Sequence, residues 1–511
     1  MAIAAGLDGV LTYLGTPHPR VTIHLLLTMG MVVLGLGSIE ISTLLPLPLY
    51  SCWGGLMPKD LNKKVCNGVT LLPELRQNDQ RLVFVCGNKA WQPDTLPGAI
   101  LVGVRVFVAL LAGICMDIFG RRRSVVAWMG LYFVVAFARA FSPNAESVVF
   151  CVTIEGAAAQ ASTLALLLLA TEGSTQKECV RSACLVLLGH AVGVAAGAPL
   201  ITTYVPGEVY KQMARSLPAL VFVLFLIALP ESARWAVCRG RIHEAIKILK
   251  RSHHMAFDPT VQSKLSSLYQ EHKLSVGQYK CSGQAIRESL QPIFRTRRIF
   301  VVFLLFALCG LAAGCAVSAV FLYDPATFNS FEDRQVALGV IEFFALLMMG
   351  LTVSRLSVKF VLVALMCCVS IALLLVPLLE EASVGSCGGQ LFFTCLGHMC
   401  VVMTTVWLGV GVIRLTPTHS RGAVLGFTFA MATLGHALAY LDISEALWFI
   451  THWGIYGEVV VWALVCFIGG LLTLMLPKMP RCLPDTITHM ICYKIAEEKS
   501  EDYEESQNTQ L

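Results

Sequence analysis

The sequence predicts an all-α membrane protein in which twelve transmembrane helices form two halves of six. Hydrophobic residues make up 56% of the 511 residues and charged residues only 14%, whereas an average soluble domain has roughly 45–50% and about 25%. The mean hydropathy is +0.70. So few charges cannot cover this much apolar surface, and the composition therefore excludes soluble globular, disordered and nucleic-acid-binding proteins.

Twelve apolar windows predict the spanning helices. A helix needs about 20 mostly apolar residues to cross a bilayer, and a long polar stretch follows the sixth window. The windows lie at about 22–46, 97–116, 124–141, 147–171, 181–203, 214–230, 299–322, 335–354, 358–379, 389–413, 421–441 and 455–476. We therefore predict a cytosolic N-terminus (1–21), an N-terminal six-helix half (22–230) with an extracellular loop (47–96), a cytosolic middle segment (231–298), a C-terminal six-helix half (299–476) and a cytosolic acidic tail (477–511).

The charges of the loops predict the orientation. Arg121, Arg122 and Arg123, the basic middle segment and Arg421 all fall on one side, and short acidic loops fall on the other. Because Lys and Arg are retained on the cytosolic side of a membrane, we predict that both termini are cytosolic.

The 19 cysteines give no sign of a metal site. Most lie in apolar runs, where cysteine behaves as a small hydrophobic residue. Cys52, Cys66 and Cys86 lie in the predicted extracellular loop, where one pair can form a disulfide, and the sequence leaves the pairing open. Since no zinc-type spacing, nucleotide-binding loop or hydrolase motif occurs, we expect no metal, no cofactor and no enzymatic activity.

A segment rich in glycine and charge joins the second and third predicted helices. It reads G-I-C-M-D-I-F-G-R-R-R from Gly113 onward. Gly113 and Gly120 permit close packing and a tight turn, and Asp117 at a helix end can pair with Arg121 or Arg122. We predict an ionic latch that opens when the two halves move. The alternative is a basic anchor at the membrane surface.

This spacing resembles the signature G-x-x-x-D-x-x-G-R-R/K of the major facilitator superfamily. The segment P-E-S-A-R-W-A-V-C-R-G-R-I-H-E-A-I-K-I-L, which begins at Pro230, is similar to one in the organic cation/anion/zwitterion transporter family. The opening L-D-G-V-L-T-Y-L-G from Leu7 and the closing L-P-K-M-P-R-C-L-P-D-T-I from Leu476 also resemble that family. The resemblance implies a twelve-helix fold that moves a small organic ion across the plasma membrane by alternating access.

The resemblance also implies further gating residues beside the latch. They come from the segment after the sixth helix, the loop between the fourth and fifth helices, and the loop before the eleventh helix. In this chain they are Glu231, Arg234, Glu172, Arg181 and Arg421.

Several positions depart from the family pattern. Ser354 and Ser357 replace an Asp and a Gly in the matching signature between the eighth and ninth helices. Arg414 reverses the charge of a family acid, and Val152 replaces a buried arginine. These departures predict a weaker latch in the C-terminal half, and they keep a non-transporting receptor or scaffold as an alternative.

Polar side chains within the predicted helices are the candidates for substrate binding. An ionisable group at bilayer depth costs about 3 kcal/mol or more on insertion scales, so each one requires a partner or a function. For Glu155 the structural alternative is a pair with Arg105. The candidates are Glu342, Arg105, Glu155, Thr433, His436 and Glu40.

The charges of these candidates predict the class of substrate. The resemblance makes Thr433 the position that is acidic in many cation carriers and basic in many anion carriers, and threonine is neutral. Glu40, Glu155 and Glu342 outnumber Arg105, which favours a small organic cation, or a zwitterion whose carboxylate meets Arg105. An organic-anion exchanger is the third alternative.

The end of the sequence predicts a protein partner in addition to the substrate and the lipid bilayer. After an acidic run the chain reads Thr509-Gln510-Leu511. A terminal leucine with a threonine two residues before it fits carboxylate capture by PDZ domains. No nucleic-acid partner is expected.

Overall fold

The computed structural model contains the helical units that the sequence predicts. It describes residues 7–14, 18–44, 96–142, 145–176, 178–226, 229–253, 259–277, 290, 293–294, 296–322, 331–352, 358–381, 387–439, 455–477 and 483–485. The predicted extracellular loop with Cys52, Cys66 and Cys86, and the tail that ends in Thr509-Gln510-Leu511, lie outside these residues.

Twelve long helical units in the described part of the chain match the twelve predicted spans. A short helix α1 (Leu7–Leu14) precedes the first half, which begins with α2 (His18–Leu44), α3 (Leu96–Phe119), α4 (Arg121–Arg139) and α5 (Ala145–Glu172). The fifth unit is continuous and consists of α6 (Cys179–Val192), a π-helical turn (Gly193–Gly197) and α7 (Ala198–Tyr204). The sixth unit is α8 (Glu208–Leu226). The middle segment holds α9 (Ala233–Cys238), α10 (Ile242–His253) and α11 (Pro259–Gly277). The second half consists of α12 (Arg297–Leu322), α13 (Phe331–Thr352), α14 (Val358–Glu381), α15 (Cys387–Leu415), α16 (Arg421–Leu438) and α17 (Ile455–Leu474).

The apolar character of these helices agrees with a membrane fold. Seven helices in the described residues are long and apolar enough to span a bilayer by themselves, and three more contain shorter apolar runs. The two remaining units, α4 and α16, each begin with arginine. The all-α, twelve-helix fold class predicted from the sequence is confirmed.

The segments outside the two halves gather at one end of the bundle, which we call the inner end. Trp235 and Ala236 of α9 pack with Leu7 and Leu11 of α1 in a buried apolar cluster. The Ser232 hydroxyl accepts a hydrogen bond from the Trp235 N–H at 3.3 Å, and serine is a favoured residue for starting a helix in this way. The start and the middle of the chain therefore meet beneath the helices.

Two helix pairs make most of the contact between the halves: α3 packs on α16, and α6 packs on α13. The first contact is made by glycines. A Cβ atom added to Gly113 would lie 2.5 Å from the Gly422 carbonyl oxygen and 3.0 Å from the Gly426 Cα atom. The two backbones touch, which confirms the close packing predicted at Gly113.

Glycines also bring α6 close to its neighbours. A Cβ atom on Gly189 or Gly193 would clash with carbonyl oxygens of α2. On the other side, a Cβ atom on Gly339 of α13 would lie 2.6 Å from the Ala195 nitrogen in the π-helical turn. This turn, a feature often found at functional sites, is therefore held between helices of the two halves.

We expect Gly113→Ala to lower the melting temperature of the purified protein in detergent. The added methyl group has no space between α3 and α16, and overpacking of this kind costs about 1–3 kcal/mol. Gly103→Ala on the same helix is the matched control, because its Cβ atom meets nothing within 4 Å. Tryptophan fluorescence during heating measures both variants, and equal melting temperatures would contradict the contact at Gly113.

Candidate functional site

A buried ion cluster closes the inner end of the bundle. Arg121 donates from Nε and Nη2 to the two carboxylate oxygens of Glu172, each at 3.0 Å. Its Nη2 also lies 3.3 Å from Asp117 Oδ1. The three side chains have no exposed surface. Since an uncompensated charge would be very costly at this burial, the three residues depend on each other.

The same cluster joins the two halves through side chains. Glu172 Oε1 also accepts a hydrogen bond at 3.0 Å from Nη1 of Arg421, the first residue of α16. In the opposite direction, Arg121 Nη2 donates to the Thr418 carbonyl oxygen at 2.8 Å. Glu172 therefore neutralises one arginine from each half.

Asp117 extends the link to the backbone of the second half. Its carboxylate accepts hydrogen bonds from the backbone nitrogens of Gly422 at 3.0 Å and Ala423 at 2.9 Å. The first N–H groups of a helix have no partner within the helix and favour a negative charge. Asp117, from the first half, thus caps α16 of the second half.

Glu231 and Gly120 determine where α4 starts. Glu231 Oε1 accepts hydrogen bonds from the backbone nitrogens of Arg121 at 2.9 Å and Arg122 at 3.0 Å. Gly120 has a φ of +105°, and a Cβ atom there would lie 2.5 Å from Glu231 Oε2. Both the positive φ and the lack of space require glycine. The Arg122 side chain donates from Nε to the Leu226 carbonyl oxygen at 3.2 Å, which ties α4 to the end of α8.

A second ion cluster connects the terminal segments to the latch. Arg234 donates to Asp8, to Asp485 Oδ1 at 2.7 Å and to the Glu172 carbonyl oxygen at 3.0 Å. The Leu7 N–H donates to the other Asp485 oxygen at 2.7 Å. Burial raises the pKa of Asp485, but Arg234 and the Leu7 N–H outweigh it, so the pKa lies below its ordinary value. Asp485 is therefore a permanent counter-charge for Arg234 at physiological pH.

Arg181, the gating candidate on the other side of the loop from Glu172, is exposed near the start of α6. Glu172 is bonded to Arg121 and Arg421. The gating role of Arg181 stays a prediction.

Arg414, where the charge of the family acid is reversed, makes a contact between the halves. Arg414 Nη2 donates to the Gln176 carbonyl oxygen at 2.7 Å, so it adds a link from α15 to the loop before α6. Its Nε has no acceptor among the described residues, and the weaker latch expected in the C-terminal half stays a prediction. Ser354 and Ser357 lie outside the described residues.

Farther from the inner end, Glu155 of α5 pairs with Arg139 of α4. Arg139 Nε lies 3.2 Å from Glu155 Oε2, and both side chains are buried. The charge of Glu155 is thus offset by an arginine that the sequence analysis left out. The predicted excess of negative charge, which counted Arg105 alone, does not hold for the described side chains. The side chain of Glu40 lies outside them.

Arg105 of α3 has hydrogen-bond donors with no acceptor. Its Nε and Nη2 atoms are buried and have no hydrogen-bond partner among the described residues. The guanidinium lies against Gly156, where any Cβ atom would clash with it. Glu155 and His436 are within electrostatic range. Because buried donors without acceptors cost about 1–3 kcal/mol, this arrangement favours a ligand that supplies acceptors.

Two hydrogen-bonded pairs lie on the helices around Arg105. Gln160 of α5 donates from Nε2 to Thr433 Oγ1 of α16 at 2.8 Å, which joins the two halves. The Ser318 hydroxyl of α12 contacts the His436 imidazole and donates to the His436 carbonyl oxygen at 2.8 Å. The half-buried side chains of Gln160, Thr433 and His436 leave polar atoms accessible between the halves.

Glu342 of α13 is paired with a histidine of the other half. His190 Nδ1 lies 2.9 Å from Glu342 Oε1 and 3.2 Å from Oε2. The side chains of His190 and Glu342 keep 27% and 20% of their surface exposed. Glu342 is therefore accessible, and its carboxylate is engaged by an imidazole.

The structure adds partners that the sequence analysis missed. Two of them were visible as polar residues within apolar runs, and two lie in the opening and closing segments that carry the family resemblance. The pairing of each depends on helix rotation, for which the sequence has no local signal. They are Arg139, Gln160, Asp8 and Asp485.

Comparison with known proteins agrees with the fold. Residues 94–482 match the family described as Sugar (and other) transporter. The chain is 22% identical over 424 residues to mouse Solute carrier family 22 member 4, covering 80% of this chain and 71% of that protein. It is 25% identical over 430 residues to mouse Solute carrier family 22 member 12, covering 79% and 71%. Its structure resembles that of the proton:xylose symporter XylE bound to 6-bromo-6-deoxy-D-glucose, with a TM-score of 0.66 at 16% identity over 91% of this chain and 98% of that chain.

The fold and these matches define the class of protein, which is a transporter of the major facilitator superfamily and not an enzyme. The chain belongs to the Sugar (and other) transporter family, and among its relatives are solute carriers of family 22. The predicted resemblance to organic-ion transporters is confirmed. The receptor or scaffold alternative receives no support from these matches.

We expect Glu172→Gln to lower the melting temperature strongly. Glutamine leaves Arg121 and Arg421 buried without their shared counter-charge, and breaking a buried pair in this way costs about 3–5 kcal/mol. The control is Glu178→Gln in the same loop, where a half-exposed carboxylate accepts a hydrogen bond from Thr175 at 3.2 Å; its loss should cost less than about 1 kcal/mol. If the two variants melt at the same temperature, Glu172 does not hold the cluster together.

Proposed function

We propose that this transporter moves a small organic zwitterion across the membrane by alternating access. The carboxylate of the substrate would bind Arg105, and its ammonium group would bind Glu342. A simple organic cation, which would use Glu342 alone, and an organic anion, which would use Arg105 alone, are the alternatives.

The unused donors of Arg105 are the observation that carries this proposal. Nε and Nη2 are buried and lack acceptors among the described residues, and a substrate carboxylate offers two oxygens at once. Arginine and carboxylate form paired, charge-assisted hydrogen bonds. In a low-dielectric setting such a pair is stronger than in water.

Glu342 is the proposed ionic contact for the ammonium group of the substrate. It lies on the other half from Arg105, so one molecule that contacts both would touch both halves. Its surface is 20% exposed, whereas Glu155 is only 1% exposed. We therefore propose Glu342 as a contact and Glu155 as a support that holds Arg139 and balances Arg105.

The neighbouring polar groups complete the proposed site. Thr433 and His436 are half-buried on α16, the helix that packs directly on α3. Their hydrogen bonds to Gln160 and Ser318 fix the positions of these side chains. Glu40 remains a candidate on sequence grounds.

We propose that the inner-end cluster is the gate. The bonds of Glu172 to Arg421, of Arg121 to Thr418 and of Asp117 to α16 all run between the halves. Access from the inner end requires these bonds to break together, so the described conformation supports a site that faces away from that end. The gating set is Asp117, Gly120, Arg121, Arg122, Glu172, Glu231, Arg234 and Arg421.

We further propose a location and a partner for the inner end. Its concentration of arginine supports a cytosolic position, which would place both termini in the cytosol of a plasma-membrane protein. The tail Thr509-Gln510-Leu511 would then be available to a PDZ domain.

Uptake into cells that express the protein at their surface tests the proposal. The probes are labelled carnitine as zwitterion, tetraethylammonium as cation and para-aminohippurate as anion. We expect saturable carnitine uptake whose KM rises about 10- to 100-fold in Arg105→Gln, since hydrogen bonds to charged groups are worth about 1.5–3 kcal/mol. KM also rises in Glu342→Gln, which loses the ionic attraction to the trimethylammonium group of carnitine.

Arg297→Gln is the matched control, because Arg297 is exposed at the start of α12 and should transport as the wild type does. If only tetraethylammonium is taken up, and only Glu342→Gln reduces its uptake, the substrate is a cation and not a zwitterion. If only para-aminohippurate is taken up, and only Arg105→Gln reduces its uptake, the substrate is an anion.

A further inference from the structure

We propose that His190 and Glu342 form a proton-binding site that couples substrate binding to proton release. When His190 carries a proton, its imidazolium ring is the counter-ion of Glu342. The ammonium group of the substrate then displaces this ring. The substrate step rests on the proposed function, whereas the proton step stands without it.

The geometry of the pair supports a shared proton. His190 Nδ1 reaches both oxygens of the Glu342 carboxylate, at 2.9 and 3.2 Å. Histidine is the side chain whose charge ordinarily changes between pH 5 and 8. An ionised carboxylate at bilayer depth requires a nearby cation, and among the described residues His190 is the group to which Glu342 is bonded. The carboxylate is therefore charge-compensated when the imidazole is protonated and under-compensated when it is not.

The position of the pair links the proton to the movement of the halves. His190 belongs to α6 of the first half and Glu342 to α13 of the second. The π-helical turn begins three residues after His190, and Gly339 of α13 packs against that turn. The two side chains meet where the backbones of the halves touch, so a change in their bond acts directly on the contact between α6 and α13.

Other charged groups on the packed helices α2, α5 and α15 and on α6 and α13 themselves do not replace His190. Glu155 is paired with Arg139, and Glu172 with Arg121 and Arg421. Among the remaining groups, those near the inner end are His24, Glu178, Arg181 and Arg414, and His398 is buried in the second half. The others have side chains outside the described residues; they are His18, Arg20, Glu40, Glu146, Glu332, Asp333 and Arg334. The thiols of Cys184 and Cys400 are buried.

The exchange step balances in charge. The substrate ammonium forms the ionic bond to Glu342 that the imidazolium gives up, and the imidazole ring loses one N–H proton to water. One positive charge enters as one leaves, so the site keeps its net charge. Both side chains keep part of their surface exposed, which leaves them open to contact with the ammonium and with water.

The proton step is tested without any substrate. We expect the melting temperature of the wild type, relative to His190→Gln, to be highest at pH 5.5 and to lose this advantage by pH 8.5, because only the imidazolium forms the ionic bond. Glu342→Gln and the double variant should show the same flattened pH dependence as His190→Gln. Thr433→Val is the matched control: it removes a neutral hydrogen bond between the halves, so it should lower the melting temperature equally at every pH. Identical pH profiles for the wild type and His190→Gln would overturn the proton site.

The substrate step is tested by the pH dependence of labelled carnitine uptake. Because a proton bound at His190 competes with the substrate ammonium, KM rises as the pH falls from 7.5 to 5.5. We expect that rise in the wild type and a constant KM in His190→Gln. An unchanged pH dependence of KM in His190→Gln would overturn the coupling. If no probe is taken up at any pH while the melting difference persists, the proposed substrate is wrong and the proton site stands.

Discussion

The buried carboxylate of Glu172 is the interaction on which the inner half of the structure depends. It faces Arg121 from one half and Arg421 from the other, and all three side chains have no exposed surface. At such burial the loss of solvation can exceed the attraction of a single pair, and arginine stays charged, so the arginines can remain buried only while the halves supply shared acceptors. Asp117 and the carbonyl oxygens of Thr416 and Thr418 complete these acceptors. Joining the halves is therefore a condition for burying these charges, which is what a gate requires.

The two polar regions of the molecule differ in how completely their hydrogen bonds are formed. In the inner-end cluster nearly every donor of Arg121, Arg234 and Arg421 meets an acceptor, which makes a rigid closed state. Toward the middle of the bundle the polar groups are less fully paired. Arg105 has buried donors without acceptors, and Glu342 is bonded to a titratable imidazole ring. A cluster whose polar groups all have hydrogen-bond partners stabilises one conformation, whereas an accessible cluster with unpaired donors favours the binding of a ligand. The contrast supports the assignment of gating to one region and of binding to the other.

The sequence predicted the latch better than it predicted the binding region, for a physical reason. Asp117 and Arg121 lie four residues apart at a helix junction, so local spacing almost determines their contact. The twelve helices follow from apolar length in the same local way. Pairs such as Arg139 with Glu155, or His190 with Glu342, depend on how each helix is rotated and on glycines that let backbones approach. A single sequence has no local signal for rotation, which is why the count of intramembrane charges omitted Arg139 and overestimated the negative excess.

Arg414 shows that a departure from a motif need not remove a contact. The reversed charge at this position led the sequence analysis to expect a weaker latch in the C-terminal half. A guanidinium can bond to backbone carbonyl oxygens near loop ends without a matching acid. The Gln176 carbonyl oxygen, in the loop between α5 and α6, accepts from Arg414 at 2.7 Å and joins the second half to the first. A residue of the opposite charge can therefore still join the halves, because its partner is a backbone oxygen and not a charged side chain.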